Sequence, residues 1–351
     1  MSETPLIAIN IPTKALPPDG KTLESRIGDM GRPELLMGLY AHGIDAVFTH
    51  GAQAYDLDAG DVETIRPHLS RTVSGFEVAL SSESHRIKDL DLVFNLSKVL
   101  DCGITEVNDP KVRGITVDKA VFDEMSNELR SAKPYSILDV ANPAAAFDKI
   151  PGDDIVVKGL ASSASRHVFV GTKREMLQKI NDGEIAESRR WIVEPRYKFC
   201  GLPVKTSDPN QQKGLYAAVS RGAPAEVRAY CFGRDEAGAL VCDYVARVAL
   251  NGGDTLRSNE LIFLDQDAIP DAVRDLTERF YDGIAKRTGV ADIHISLDAA
   301  YISGGGSSHQ RWIMMEGNSR PGRIYTNEDP WRALDQGHKL AAMLHKIITK
   351  A

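Results

Sequence analysis

Glu316 and Asn318 stand two residues apart at the end of an apolar run, in RWIMMEGNSRPGR, Arg311–Arg323. A β-strand sends alternate side chains to one face, so an acid and an amide at this spacing point the same way. Upstream, ADIHISLDAAYI alternates likewise, with Asp292, His294, Ser296 and Asp298 on one face and Ile293, Ile295 and Leu297 on the other. GGGSS, Gly304 to Ser308, reads as the turn between the two runs. A hairpin centred on Gly306 or Ser307 sets Asp298 opposite Glu316, because cross-strand neighbours share a face. Two carboxylates and an amide oxygen gathered in this way suit Mg²⁺, which keeps water and substrate phosphates among its ligands. A slip of one residue would turn Asp298 away, and Asp292, farther down the strand, is a poorer substitute. The same acids also suit a solvated hairpin face, but the NSRPG turn directly after them favours a built site.

Lys158 ends a second apolar run, DDIVVKG, and is followed by a loop of small residues, GLASSASRHV. A cation beside a loop that offers backbone N–H groups can cradle phosphate oxygens. Lys119, in the VDK step of a helical stretch, is a further cation of this kind, and both also read as ordinary surface lysines. No nucleophile elbow and no Ser/His/Asp or Cys/His pattern occurs. No GxGxxG follows the first strand, which leaves dinucleotide binding without support. His167 and His294 read either as packed or solvated histidines or as proton carriers.

The elements that must position these residues follow from hydrophobic period. Leu6–Ile11 reads as a buried strand, Pro33–Gly43 as a helix, and IDAVFTH, FEVAL and DLVFNL as further strands. Strands separated by helical stretches imply a small parallel open sheet over the first hundred residues. Thr116–Leu129 is helical in pattern, KPYSILDV and DDIVVKG contain strands, and VGTKREMLQKINDG is a helix closing on Gly183. WIVEPRY is a strand, AEVRAYCFG and ALVCDYVARVAL form an antiparallel pair, and Ile269–Gly289 is an amphipathic helix ahead of the acidic hairpin. A last helix, from WRALDQGHKL onward, closes the chain. The stretch from Cys200 to Gly222 is loop-rich, with a helical piece at GLYAAVS; it reads equally as the wall of a substrate pocket, with Lys205, Lys213 and Arg221, or as a surface insertion.

At 351 residues, with 42% hydrophobic and 26% charged residues, the chain suits two or three soluble globular domains. The net charge of −7 leaves no global field for nucleic acid or anionic membrane. Four cysteines without CxxC spacing, an amino terminus unlike a signal peptide and the lack of a membrane-length apolar run point to a reduced, cytoplasmic setting.

Taken in order, EVNDPKVRGITVDK, DDIVVKGLASSAS, WIVEPRY, AEVRAYCFG, NGGDTLRSN and SLDAAYI…WIMMEGNSRPG resemble the successive motifs of the ATP-grasp ligases, over about residues 108–322. NGGDTLRSN is similar to the branch containing the ribosomal-protein glutamate ligases and glutathione synthetase-like enzymes. The resemblance implies an α/β (α+β) fold: a leading Rossmann-like domain over 1–108, a central lid subdomain over 109–193 and a C-terminal antiparallel catalytic subdomain over 194–351. It also implies that Lys119 and Lys158 hold the α- and β-phosphates of ATP under a loop containing Ser162, Ser163 and Ser165. Glu194 would meet the adenine amino group, with the backbone around Pro195 and Arg196 on the base edge, and Glu226 the ribose. Arg228 or Arg247 would meet the γ-phosphate or acyl-phosphate, and Arg257 and Asn259 the transferring group or the acceptor. Asp298, Glu316 and Asn318 would be the Mg²⁺ ligands, for two ions with Mn²⁺ as a substitute, and Arg320 and Arg323 would bind an anionic group of the substrate. The implied activity is amide or peptide bond formation through an acyl-phosphate, releasing ADP and phosphate, on small carboxylate and amine substrates such as amino acids. No nucleic acid or membrane partner is implied, and a homodimer through the leading domain is. A phosphoryl-transfer kinase and an inactive nucleotide-binding protein are the alternatives. Two departures stand out: Gly159 occupies a position where many members have proline, and the GGGSS turn is longer than usual.

Overall fold

A computed structural model describes residues 4–11, 33–50, 61–72, 75–95, 104–107, 109–129, 133–160, 167–202, 204, 225–249, 259–304, 307–319, 321 and 330–350. The first strand, β1 (Leu6–Ile11), is apolar on both faces: Ile7 and Ile9 enter one core, Ala8 another. Such a strand belongs in the middle of a covered parallel sheet, and β1 lies there. It pairs in parallel with β2 (Asp45–His50), reached through helix α1 (Pro33–Ala41), and with β5 (Leu92–Asn95), which in turn pairs with β6 (Glu106–Val107). Two long strands extend this sheet at one edge, β3 (Asp61–Thr72) and β4 (Gly75–Arg86). They form an antiparallel ribbon, so FEVAL lies on a hairpin strand rather than in a parallel unit.

Helices α2 (Pro110–Val117) and α3 (Lys119–Glu128) come next. Asp109 caps α2, and Asp118 caps α3 by accepting from the backbone N–H groups of Ala120 and Val121 at 3.0 and 3.4 Å. The second sheet is wholly antiparallel, in the order β7 (Ser136–Leu138), β10 (Trp191–Pro195), β8 (Asp154–Gly159), β9 (Val168–Thr172). One of its faces, carrying Ile155, Val157, Trp191 and Val193, is covered by Phe147 of α4 (Pro143–Phe147) and Met176 of α5 (Lys173–Asn181). Period two therefore assigns Val156, Lys158, Ile192 and Glu194 to the other face.

The third sheet holds β11 (Tyr197–Phe199), β12 (Ala225–Arg234), β13 (Leu240–Ala249), β14 (Asn259–Phe263), β15 (His294–Gly304) and β16 (Ser307–Asn318). Its apolar face, with Val227, Ala229, Ala246, Ile295 and Leu297, packs on α6 (Asp271–Thr288) and also on α2 and α3. Val273, Leu276, Phe280 and Ile284 give α6 the helical stripe that this requires. α2 and α3 thus precede the second sheet in the chain but pack against the third.

Part of the third sheet's other face, at Tyr230, Phe232 and Val245, is covered by the last helix, α7 (Pro330–Lys350), and by the first sheet. α7 crosses α1 at two glycines. A Cβ on Gly38 would lie 2.7 Å from the Gly337 carbonyl oxygen, and one on Gly337 would strike the backbone of Glu34. Gly337→Ala should therefore destabilise the fold by about 1–3 kcal/mol through overpacking, despite alanine's better helix propensity. A lowered midpoint in urea unfolding at unchanged slope would register this; an unchanged midpoint would mean that the crossing opens at no cost. Among the described residues no helix is long and apolar enough to cross a membrane.

Candidate active site

The remaining face of the third sheet carries a row of charges set by register. Arg228 on β12 lies opposite Asp298 on β15, which lies opposite Glu316 on β16. One step along, Glu226 lies opposite Arg247 on β13. Alternation had put these polar residues on one face; the pairing brings them side by side. Arg228 grips Asp298 in a two-pronged ion pair, Nε to Oδ1 and Nη2 to Oδ2, both 2.5 Å. Arg247 donates to Glu226 at 2.5 Å and stands 3.5 Å from Asp298. Asp298 and Glu226 are buried, whereas Glu316 and Asn318 reach solvent.

The hairpin reaches this register by an indirect route. Its tip pairs Gly304 with Ser307, which is not the turn centre that would put Asp298 opposite Glu316. A first shift lies between Ile302 and Gly304. A second follows where Ala299 pairs with Met314 but Asp298 with Glu316, leaving Met315 with no opposite residue. Without that β-bulge, Asp298 would oppose Met315, and Glu316 would turn to the apolar face. Ser296 then opposes Asn318.

Gly317 explains how a helix approaches this strand: a Cβ there would lie 2.8 Å from Phe122 Cε2 of α3. That contact and a backbone bond from Lys119 N–H to the Leu160 carbonyl, 3.4 Å, place the start of α3 between the sheets. Burial holds the Lys119 ammonium below the usual lysine value; Glu316 pulls it up, while Lys158 pushes it further down.

The second sheet supplies the facing wall. Glu194 and Lys158 are diagonal neighbours on β10 and β8, and Lys158 Nζ donates to Glu194 Oε2 at 2.7 Å. The other oxygen, Oε1, is 3.0 Å from the ammonium of Lys133, which is fully buried. Lys133 also donates to Asp123 Oδ1 at 2.8 Å and to the Met315 carbonyl at 3.2 Å. It was not among the residues singled out from sequence: KPYSILDV carries no signal that separates it from a surface lysine. Burial alone would raise the Glu194 carboxyl, but the two ammonium groups outweigh it and hold the group at about 2. Burial raises Asp123 to about 6 against the pull of Lys133. A depressed carboxyl stabilises the fold above its unfolded value, near 4.3, and loses that contribution as pH falls toward 2. Glu194→Gln should accordingly flatten the fall in stability between pH 4.3 and 2, read by chemical unfolding across that window; an equally steep fall would place the acid sensitivity elsewhere.

Beside this wall lies an apolar patch of Tyr197, Ala300, Ile302 and Ile313, with Phe199 and Met315 packed against it. Ala300 and Ile302 alternate in step with Asp298, so the patch continues the charged face. The Tyr197 hydroxyl is buried there without a hydrogen-bond partner among the described residues.

Burial raises the Glu226 carboxyl to about 8, with Asp298 the first charge to reinforce it and Arg247 and Arg228 opposing. Asp298 and Glu316, with the Glu226 carboxyl beside them, face the guanidiniums of Arg228 and Arg247. No three His, Cys, Asp or Glu side chains among the described residues form a ready-made metal cage. An all-oxygen set with two solvent-facing members, Glu316 and Asn318, nevertheless fits Mg²⁺, which takes one or two carboxylates and completes its shell with water and phosphate.

Other expected site residues are less informative. Pro195 pairs with Ile155; the Arg196 backbone N–H donates to the Asp154 carbonyl at 3.0 Å and its side chain is exposed. Asn259 opens β14 opposite Ala249. Ser162, Ser163, Ser165, Arg257, Arg320, Arg323, Lys205, Lys213 and Arg221 lie outside the described residues. His294 is buried and stacked on Phe232 with ring centroids 5.2 Å apart, while His167 is exposed beside Trp191.

No family model matches the chain, and no curated protein sequence does. Solved structures do. D-alanyl-alanine synthetase A from Vibrio cholerae aligns with a TM-score of 0.57 at 13% identity, over 99% of this chain and 98% of that one. A RimK domain protein from Sphaerobacter thermophilus, described as ATP-grasp, aligns with a TM-score of 0.52 at 14% identity, over 97% and 98%. The chain has an ATP-grasp fold. The VanG D-Ala:D-Ser ligase from Enterococcus faecalis gives the same picture, with a TM-score of 0.55 at 14% identity over 99% and 100%. In this fold Lys158 and Glu194 lie on the second sheet and Lys119 at the start of α3, whereas Glu226, Arg228, Arg247, Asp298, Glu316 and Asn318 lie on the third sheet.

Proposed function

We propose that the chain is an ATP-dependent carboxylate–amine ligase that forms an amide or peptide bond and releases ADP and phosphate. The observation that carries this reading is the Arg228–Asp298–Glu316 row with Lys119 close enough to feel both Glu316 and Lys158. Carboxylates facing cations suit a Mg²⁺–polyphosphate, whose metal meets the acids while its oxygens meet the lysines. The names of the structural neighbours, ligases of D-alanine among them, support the same class.

In this reading Lys119 and Lys158 hold the α- and β-phosphates. The base lies on the apolar patch, with its amino group toward Glu194, and Glu226 meets the ribose. Asp298, Glu316 and Asn318 would hold Mg²⁺, which neutralises charge on the phosphoryl group in flight. Arg228 orients Asp298, and Arg247 would meet the γ-phosphate or the acyl-phosphate formed from the substrate carboxylate. An amine then attacks that activated carboxyl, and phosphate leaves. No enzyme nucleophile is needed: positioning and charge account for the chemistry. Arg257, Asn259, Arg320 and Arg323 are proposed to meet the acceptor or an anionic group of the substrate, and the Ser162–Ser165 loop to cover the phosphates.

The test is ADP and phosphate release with ATP, Mg²⁺ and a panel of amino acids, products read by mass spectrometry. Acceptor-dependent release with a condensed product supports the ligase. A stable phosphorylated product would make the chain a kinase, and nucleotide binding without release would make it a binding protein.

A further inference from the structure

Lys133 and Lys158 share one carboxylate in different ways. The Lys133 ammonium donates to Asp123 Oδ1 at 2.8 Å and to the Met315 carbonyl at 3.2 Å, and forms an ion pair with Glu194 Oε1 at 3.0 Å. Its side chain is 2% exposed, which leaves it nowhere to turn. Lys158 meets Glu194 through the other oxygen, at 2.7 Å, and its side chain is 16% exposed. Glu194 itself is 1% exposed. If Lys158 were its sole counter-ion, moving that ammonium to a phosphate would strand a buried carboxylate, which is strongly unfavourable.

We propose that Lys133 is a positioning residue for phosphate capture: it neutralises Glu194 permanently, so that Lys158 can leave Glu194 for the nucleotide. This rests on the reading that Lys158 holds phosphate. Lys158 rests on Glu194 Oε2, and an arriving nucleotide exchanges partners, its phosphate taking the ammonium and its base amino group taking the released oxygen. Lys133 stays on Oε1 throughout. The low carboxyl value of Glu194 agrees with two ammonium partners.

Magnesium tripolyphosphate, which has no base, isolates the lysine step. Glu194→Gln removes the charge that retains Lys158 while keeping the Lys133–Asp123 pair, so tripolyphosphate should bind about tenfold more tightly. The paired change Lys133→Met with Asp123→Asn leaves Lys158 as the sole counter-ion of Glu194, and binding should weaken by about tenfold or more. Adding Glu194→Gln to that pair should restore it. A merely structural lysine would not produce a gain in the first variant. Calorimetry measures all three, with thermal unfolding to verify folding. Tripolyphosphate affinity unchanged or lowered by Glu194→Gln would overturn the exchange, and this variant decides the matter alone should the paired change fail to fold. Lys158→Ala separates the two levels. If it leaves tripolyphosphate binding intact, the phosphate assignment itself fails. If it weakens binding while the Glu194 and Lys133 variants do nothing, only the exchange fails.

Discussion

Glu316→Gln should abolish acceptor-dependent ADP release and leave the protein folded. The side chain reaches solvent, so its replacement removes no packing, and Lys119, which loses the support of Glu316, keeps Glu194 as a further acid. The replacement also removes one of the like charges that push the Glu226 carboxyl upward. Stability should therefore shift by about 0.5 kcal/mol or less in either direction. Activity is another matter. Glu316 lies directly opposite Asp298, and the pair supplies the two carboxylates of the proposed Mg²⁺ site. A neutral amide keeps one oxygen in place but not the charge that offsets a divalent cation. Loss of a preorganised charge interaction at the reacting centre costs about 100–1,000-fold in kcat, and a metal ligand stands at the upper end. ADP release with saturating Mg²⁺ and thermal unfolding of the same sample give the two readings. Turnover within about threefold of the parent, far short of that expected loss, would remove Glu316 from the metal assignment.

Arg228→Met should be the most destabilising single change in the site. Arg228 satisfies both oxygens of Asp298, a carboxylate 1% exposed, and its guanidinium lies 4.0 Å from Glu226. Breaking such a buried pair from one side costs about 3–5 kcal/mol, because the remaining charge stays where it is. Arg247, 3.5 Å from Asp298, offsets part of that loss, which argues for the lower end. A specific signature follows if the site takes Mg²⁺. A cation that binds the folded state stabilises it in proportion to the logarithm of its concentration, and it should bind the variant's under-compensated acids at least as well as the parent's. Urea unfolding with and without MgCl₂ should thus show a larger Mg²⁺ stabilisation in Arg228→Met than in the parent. Equal stabilisation would mean that the metal and Arg228 serve different acids; a cost well below the expected range would mean that Asp298 finds another partner. Lysine is a weaker rescue than its charge suggests, since it lacks the planar fork that meets both oxygens.

Much of this site could be read before its geometry was known, because period two does not depend on context. The alternation around Asp298 and around Glu316 and Asn318 identified a hairpin and the face on which its acids lie, and the AEVRAYCFG and ALVCDYVARVAL runs identified the pair beside it. What escaped was whatever depended on one residue or on contacts distant in sequence. The bulge at Met315 changes the pairing by a single position, and no residue type there demands it. Lys133 acquires its importance from Asp123, Glu194 and Met315, the last of them 182 positions away. Arg228 was read as a ligand for transferred phosphate, yet its register opposite Asp298 makes it first a holder of that acid. The β3–β4 ribbon was missed for a related reason: a long polar-rich strand lacks the apolar run by which buried parallel strands are recognised.

The bulge also separates two tasks that hairpins usually combine. In a regular hairpin the tip dictates every pair below it, so any insertion there propagates down the ladder. Here the block Ala299–Ile302 against Arg311–Met314 stands between the tip and the acids, and Met315 resets the count beyond it. Tip length can drift through insertion and deletion while the acids keep their address, so the tip beyond the Gly304–Ser307 pair is suited to a graft or an epitope. A frame-preserving deletion of Met315 alone would remove the bulge and still leave Glu316, now directly after Met314, opposite Asp298.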